Sequence, residues 1–486
     1  MKHALPLMLW SLVLLSFSLS LPTELFAQSA VKLRAGAATS NITPPLGELI
    51  VGGFTPLPAD EVHDELHAKS IVLDDGKTKL VFVLCDNVGI PREVYDAAKK
   101  QIEESTGIPM ANQLMAATHT HSATSARSAN SMVHAPNLNE YQRFLVSRIV
   151  DCVRIANKRL EPAKIGWGSV QEPTQLFNRR WYVVEEADRR NPFGGVDQVR
   201  MNPGASGLIR PAGPIDPQVS FVSVQSTDGR PIAVLANYSL HYVGGVPGRT
   251  ISADYFAVFA NHLAKLLDVN DSEKPFVGIL SNGTSGDVNN INFQNRGKRY
   301  ESFQKMQEVG ELIATRVHAS MKDVSYKETM TLAAKTEELT LKIRKPDTAL
   351  LAYVNQVLTK PKDEKPYHVH ERTYAERVLQ LAESPEDVNV VIQTFRIGSL
   401  GIAAIPFEVF TEIGLEIKEK SPFKSTFTIE LANGSYGYLP TPSQHELGGY
   451  ETWLGTNKVE KEASVKIVSK VLELFHQSTL NAMRNP

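Results

Sequence analysis

Leu80–Ser122 reads LVFVLCDNVGIPREVYDAAKKQIEESTGIPMANQLMAATHTHS. Its opening, Leu80–Asn87, is β-branched and aromatic with a polar boundary, which predicts a strand. Pro91 then stands where a helix begins, and Val94, Ala98 and Ile102 recur at helical spacing. Gly107 and Pro109 end that helix, and Gln113–Ala117 is a short second strand. Asn139–Leu160 continues the pattern as a helix with Leu145, Ile149, Cys152 and Ala156 on one face. This βαβα order predicts an α/β fold, a parallel or mixed sheet flanked by helices.

The second strand of this stretch runs straight into HTH. In an extended segment, residues two apart point to the same side, so His119 and His121 can face one site. Imidazoles with ordinary pKa values are largely neutral at pH 7, as metal ligation requires. The same pattern suits loop histidines that hydrogen-bond locally, so both readings stand at this point.

The position of HTH recurs elsewhere. Phe276–Leu280 is an expected buried strand, followed by the loop SNGTSGDVNN (Ser281–Asn290). His241, Asp287 and Glu408 each follow the end of an apolar strand, as His119 does. Open α/β sheets bind ligands outside the carboxyl ends of their strands, so four groups placed this way can converge. Taken singly, each has a plainer reading. His241 suits a turn, Glu408 the first turn of a helix starting near Val409, and Tyr438 and Tyr450 the wall of a pocket. SNGTSGDVNN matches neither a phosphate loop nor a complete nucleophile elbow, because Asp287 stands where the elbow needs its second glycine. HExxH is absent. Two histidines and a glutamate with an open position suit a catalytic zinc ion, which lowers the pKa of a bound water and polarises a carbonyl.

The rest of the 486-residue chain sets boundaries. Lys2 precedes an apolar run, Leu5–Leu21, with a cleavage position after Ala27; residues 1–27 resemble a secretory signal peptide, so the protein is expected to be exported. Residues 28–486 are long enough for one large domain or up to three ordinary ones, and no later stretch is apolar enough to span a bilayer. The formal net charge is -2, without a basic cluster, which argues against a nucleic-acid partner. Cys85 and Cys152, the two cysteines, are expected as reduced core residues, with a single disulfide the alternative. Pro346–Asp387 is charged and reads as a helical surface insertion.

ATHTHS, LANYSLH with ISADY, SNGTSGDVNN, IAAIPFE and LANGSYGYLPT…GGYE occur in the order seen in neutral (non-lysosomal) ceramidases. AGAATSNITPP and HAKSIVLDD also look like the start of that family, and the resemblance covers about Lys32–Trp453. It implies a single large α/β domain with mixed sheets and helices outside. It also implies zinc held by His119, His241, Glu408 and Tyr438. His121 would either support the ligands without binding zinc or serve as an acid/base group, and Arg179 and Tyr450 would be further active-site residues. The implied activity is zinc-dependent hydrolysis of a linear N-acyl amide, ceramide by resemblance. The chain departs from the family in three ways. Asn289 stands where the family has a serine, and with zinc-activated water as nucleophile it would donate to the oxyanion. SATS follows HTH in place of a glycine-rich run, and the chain is too short for the C-terminal β-sandwich of longer members. These departures raise two alternatives, a hydrolase of another amide or ester and a zinc-containing protein that binds without catalysis.

Overall fold

The structure is a computed structural model that describes Met1 and residues 32–53, 55–126, 130–135, 137–269 and 273–484. The expected signal peptide lies outside the described residues. Lys32 onward forms one compact unit. No helix among the described residues is long and apolar enough to cross a membrane.

The larger sheet contains β1 (Arg34–Asn41), β2 (His67–Asp74), β3 (Lys79–Cys85), β4 (Gln113–Ala117), β5 (Glu161–Gln171), β6 (Gln218–Ser226), β7 (Pro231–Tyr238) and β8 (Val277–Asn282). Their spatial order is β8-β7-β6-β5-β1-β2-β3-β4. The second sheet contains β9 (Leu332–Lys342), β10 (Asp387–Ile397), β11 (Leu400–Ile405) and, after the short β12 (Glu408–Val409), β13 (Ser425–Glu430). β12 pairs with β14 (Tyr438–Leu439). The helices are α1 (Arg92–Thr106), α2 (Glu140–Lys158), α3 (Asp254–Leu266), α4 (Gln304–Met321), α5 (Thr348–Thr359), α6 (Glu371–Ala382), α7 (Thr411–Lys420) and α8 (Ala463–Arg484).

Strand alternation decides the layering. On β3, Leu80, Phe82 and Leu84 share a core with Phe395, Ile402 and Phe427 of the second sheet, and the Phe82 and Phe395 rings lie 5.0 Å apart. The alternate residues Val81, Val83 and Cys85 join Val94 and Ala98 of α1 and Leu145 and Ile149 of α2. On β11, Ile402 and Ala404 face the first sheet, while Ala403 and Ile405 face a core shared with α5, α6, α7 and α8. α3 and α4 cover β6, β7 and β8. Two sheets thus pack face to face between outer helices, a four-layer α/β sandwich of mixed sheets.

Local signals explain the helix ends. Asn139 and Gln142 form a reciprocal capping box on α2. Gly107 ends α1 at φ 72°, a conformation that costs a glycine little. Ser252 stands one residue before the cap of α3, where its Oγ accepts the Asp254 N–H at 3.0 Å. Cys85 and Cys152 are both free and buried, and burial raises both thiols, that of Cys152 to about 12. The 346–387 segment forms α5 and α6, whose Val354, Val357, Ala375 and Val378 sit in the core.

Three parallel pairs matter for function: β3/β4 joined through α1, β7/β8 through α3, and β11/β13 through α7. Each is a βαβ unit, and each delivers the carboxyl ends of two neighbouring strands. Ala116 bridges to Ala432, and Asn433 N–H donates to Met115 O at 2.8 Å, which ties the edge of the larger sheet to the chain beyond β13.

Candidate metal centre

His119 follows β4, His241 follows β7 and Glu408 opens β12 just beyond β11. The three lie far apart in sequence, and the βαβ units bring them together. His119 Nε2 stands 3.1 Å from His241 Nε2 and 3.1 Å from His121 Nε2. Glu408 Oε2 is 3.4 Å from His119 Nε2 and 3.8 Å from His241 Nε2. Among the described residues, His119, His121 and His241 form the group whose ligand atoms all lie within 4.8 Å of one another.

The two histidines meet for a different reason from the expected one. His119 is not extended but left-handed, at φ 66°. The strand ladder continues to Thr118 N–H on Cys85 O, then His119 N–H bonds Asn87 O and the chain turns. Strain of this kind in a non-glycine residue persists only where neighbours hold it. Thr120 Oγ1 donates to Ser252 O at 2.7 Å, and Ser252 N–H donates to Ser122 O at 2.9 Å. The ISADY segment therefore clamps the HTH loop.

Tautomers follow from the partners. His119 Nδ1 lies 2.6 Å from Val88 O, and His241 Nδ1 lies 3.1 Å from Ser285 O. A carbonyl only accepts, so each Nδ1 carries the proton and each Nε2 presents a lone pair to the centre. Burial, with His119 and Arg179 close by, holds His241 well below the usual imidazole range. Neutral imidazole lone pairs gathered about one point beside a carboxylate suit a cation. Ligands about 2 Å from a tetrahedral zinc stand roughly 3.3 Å apart, close to the spacings here. The donor set therefore fits a metal ion.

The surrounding groups are charged and buried. Glu408 pairs directly with Tyr438 in the parallel β12/β14 register. Arg179 Nη2 donates to Tyr438 Oη at 2.9 Å and to Gly286 O at 2.8 Å, while its Nε donates to Glu451 Oε1 at 2.9 Å. Burial works against the Arg179 charge, but Tyr438 and Glu451 beside it raise its pKa well above the ordinary value. Burial pushes Tyr438 up strongly and Tyr450 up to about 12. The Tyr438 and Tyr450 rings lie 5.7 Å apart, and both face a cavity of about 330 Å³ that also reaches His119, His121 and Glu408.

Two candidates have other partners. Asp287 Oδ1 accepts the Thr411 N–H and hydroxyl, both at 2.9 Å, and Oδ2 accepts Asn178 Nδ2 at 2.8 Å. It caps the start of α7, which corrects the expectation that it joins the cluster. Asn289 Nδ2 donates to Asn202 at 2.7 Å and its Oδ1 accepts from Ile291, and it does not line the cavity. Nor does Glu408 serve as a helix-start acid, because α7 begins three residues later.

Sequence reading missed three supports. Glu430, fully buried at the end of β13, accepts Ser285 Oγ at 2.6 Å and Val409 N–H at 2.7 Å. It thereby fixes both the residue behind His241 and the strand that carries Glu408. A carboxylate inside the apolar run FTIE was the available signal, since burying one unpaired is costly. Arg180 and Glu451, joined at 2.7 Å with neither side chain exposed, are the other two.

A family model described as neutral/alkaline non-lysosomal ceramidase, N-terminal, matches residues 33–335. The chain belongs to this family. Solved structures of ceramidases share its fold. Neutral ceramidase from Pseudomonas aeruginosa is 18% identical, with a TM-score of 0.65 over 91% of this chain and 74% of that one. A structure described as ceramidase complexed with C2 is 16% identical, with a TM-score of 0.67 over 91% and 75%. His119, His121, Arg179, His241 and Asn289 fall within the residues matched to the ceramidase family; Glu408, Tyr438 and Tyr450 lie beyond them.

Proposed function

We propose that the protein is an exported, zinc-dependent hydrolase of a linear N-acyl amide. The observation that carries this reading is the convergence of the His119, His121 and His241 Nε2 atoms with Glu408, beside a cavity lined in part by His119, His121 and Glu408. Family membership supports the amide bond as the target, and the apolar run after Lys2 supports export.

His119, His241 and Glu408 hold the ion, with Tyr438 completing the set. Bound there, zinc supplies a Lewis acid for the amide carbonyl and acidifies a water. The chain's own groups do the remainder. Val88 O and Ser285 O keep the two ligand imidazoles in one tautomer. Arg179, pinned by Glu451, orients Tyr438. His121 is less buried than the other two histidines, reaches the cavity, and stacks on Tyr242 at 3.8 Å. It takes a proton from the attacking water and returns it to the departing nitrogen as the carbon–nitrogen bond breaks. Tyr450 faces the same space and orients the carbonyl. Asn289 acts from outside the cavity wall, holding the loop through Asn202.

Substituting His119→Ala tests the reading. Metal content and release of amine from an N-acyl substrate are expected to fall together. Full turnover by a metal-free variant would refute it.

A further inference from the structure

β4 and β8 stand at opposite edges of the larger sheet. An edge strand leaves a row of backbone groups without a ladder partner. Past their carboxyl ends, however, the two edges are joined by a side chain. Asn282, the last residue of β8 and 0% exposed, donates from Nδ2 to His241 O at 2.9 Å and to Thr118 O at 3.4 Å. Both partners are carbonyls, which only accept, so the amide lies with its nitrogen towards them. One side chain thus ties the chain beyond β4 to the chain beyond β7.

The two carbonyls belong to the turns that carry the histidines. Thr118 O is part of the peptide group leading into His119, and the N–H of the same peptide is held by Asn87 O at 3.0 Å. With both sides of that peptide fixed, the backbone enters the left-handed turn at His119, φ 66°, in one orientation. His241 O is the carbonyl of the second histidine itself. Asn282 is held in its turn. Asn237 Nδ2 lies 3.2 Å from Asn282 O, 2.9 Å from Ser281 Oγ and 3.0 Å from Thr428 O on β13. Gly283 N–H donates to Tyr238 O at 2.9 Å, and a Cβ at Gly283 would lie 2.5 Å from Ser239 Oγ, so the chains leaving β7 and β8 run in close contact.

We propose that Asn282 is a positioning residue for the metal centre, its amide setting the separation of His119 and His241. The inference rests on the metal reading above and adds a residue that touches neither the ion nor the substrate. An apolar side chain in its place would leave two buried carbonyls without this donor and the two turns without their common anchor.

The test compares Asn282→Ala with Gln113→Ala in the whole protein, stripped of metal by a chelator. Gln113 is a matched control. It is also 0% exposed, and its Nε2 donates to two backbone carbonyls, Lys99 O at 3.1 Å and Ile108 O at 2.8 Å, but from the opposite end of β4 to His119. Melting temperatures of the metal-free proteins report the general cost of each substitution. Zn2+ titration and the visible spectrum of bound Co2+ report the site. Gln113→Ala is expected to keep the wild-type affinity and spectrum. Asn282→Ala is expected to bind Zn2+ at least tenfold more weakly and to shift the Co2+ bands, the scale on which removing a ligand's support acts. Wild-type affinity and spectrum in Asn282→Ala overturn the proposal, as does an equal loss of affinity in both variants. If the alanine variant does not fold, Asn282→Ser, which keeps a hydroxyl donor for one carbonyl, is read in its place: weakened Zn2+ binding sustains the proposal, and wild-type binding overturns it. Uptake of neither metal by the wild type refutes the metal reading itself, and this proposal with it.

Discussion

His121 and Lys99 show what single residues contribute. His119 and His241 are 2% and 0% exposed, each locked by a carbonyl, whereas His121 borders the cavity. A His121→Asn variant should therefore keep close to the wild-type metal content and lose turnover by about 10²–10⁴-fold, the range for a lost general acid–base. Loss of the metal, seen by elemental analysis, would make His121 a ligand instead. Lys99 is remote from this chemistry. Its ammonium is buried, donates to Asn433 Oδ1 at 2.7 Å, and is lowered by burial to about 8, with Asp96 supporting the charge and Arg92 opposing it. Between that value and 10.5 the unfolded chain holds a proton that the folded protein has released, so stability rises with pH across this window. Below pH 8 the full penalty applies, on the order of 3 kcal/mol. Lys99→Met should flatten the stability curve between pH 8 and 10.5, as read from denaturant midpoints. An unchanged slope would contradict the assignment.

Elements position the ligands through close backbone contact. The loop after β8 crosses directly over β12, where Gly286 N–H donates to Val409 O at 2.8 Å. A Cβ at Gly286 would lie 2.6 Å from Glu408 O, so Gly286→Ala must displace the strand that carries the carboxylate. Metal affinity should fall at least tenfold, as when a ligand's support is removed. A metal titration giving the wild-type constant would show that Glu408 tolerates the shift. The β3–α1–β4 unit was legible because the apolar, β-branched strand run, the helical spacing and the Gly107 stop agree with one another. His119, His241 and Glu408 were legible as strand-end residues, and the family resemblance separated them from ordinary turn residues. Asp287 shared the same strand-end signal and proved to be a helix cap, since position alone does not say which way a side chain turns. The left-handed His119 left no trace in the sequence, because its turn depends on carbonyls of the neighbouring strand.

At the scale of the molecule, the packing of two sheets was hidden for a related reason. The alternation of β10 and β11 shows two buried faces but not which core each face joins. The partner of Phe82 is Phe395, more than three hundred residues away, and no local pattern specifies that pairing. The 346–387 segment read as a surface insertion because it is charged, yet α6 supplies Arg377, Gln380 and Leu381 to the cavity wall. The four-layer arrangement places the carboxyl ends of β4, β7 and β11 about a single point, and the proposed chemistry depends on that convergence. Anomalous diffraction at the zinc edge from crystals of the purified protein tests it most directly. The account predicts one peak, within bonding distance of His119 Nε2, His241 Nε2 and Glu408 Oε2, that disappears in His119→Ala. No peak at that point, in crystals grown with zinc and diffracting well enough to place the histidine rings, would contradict it.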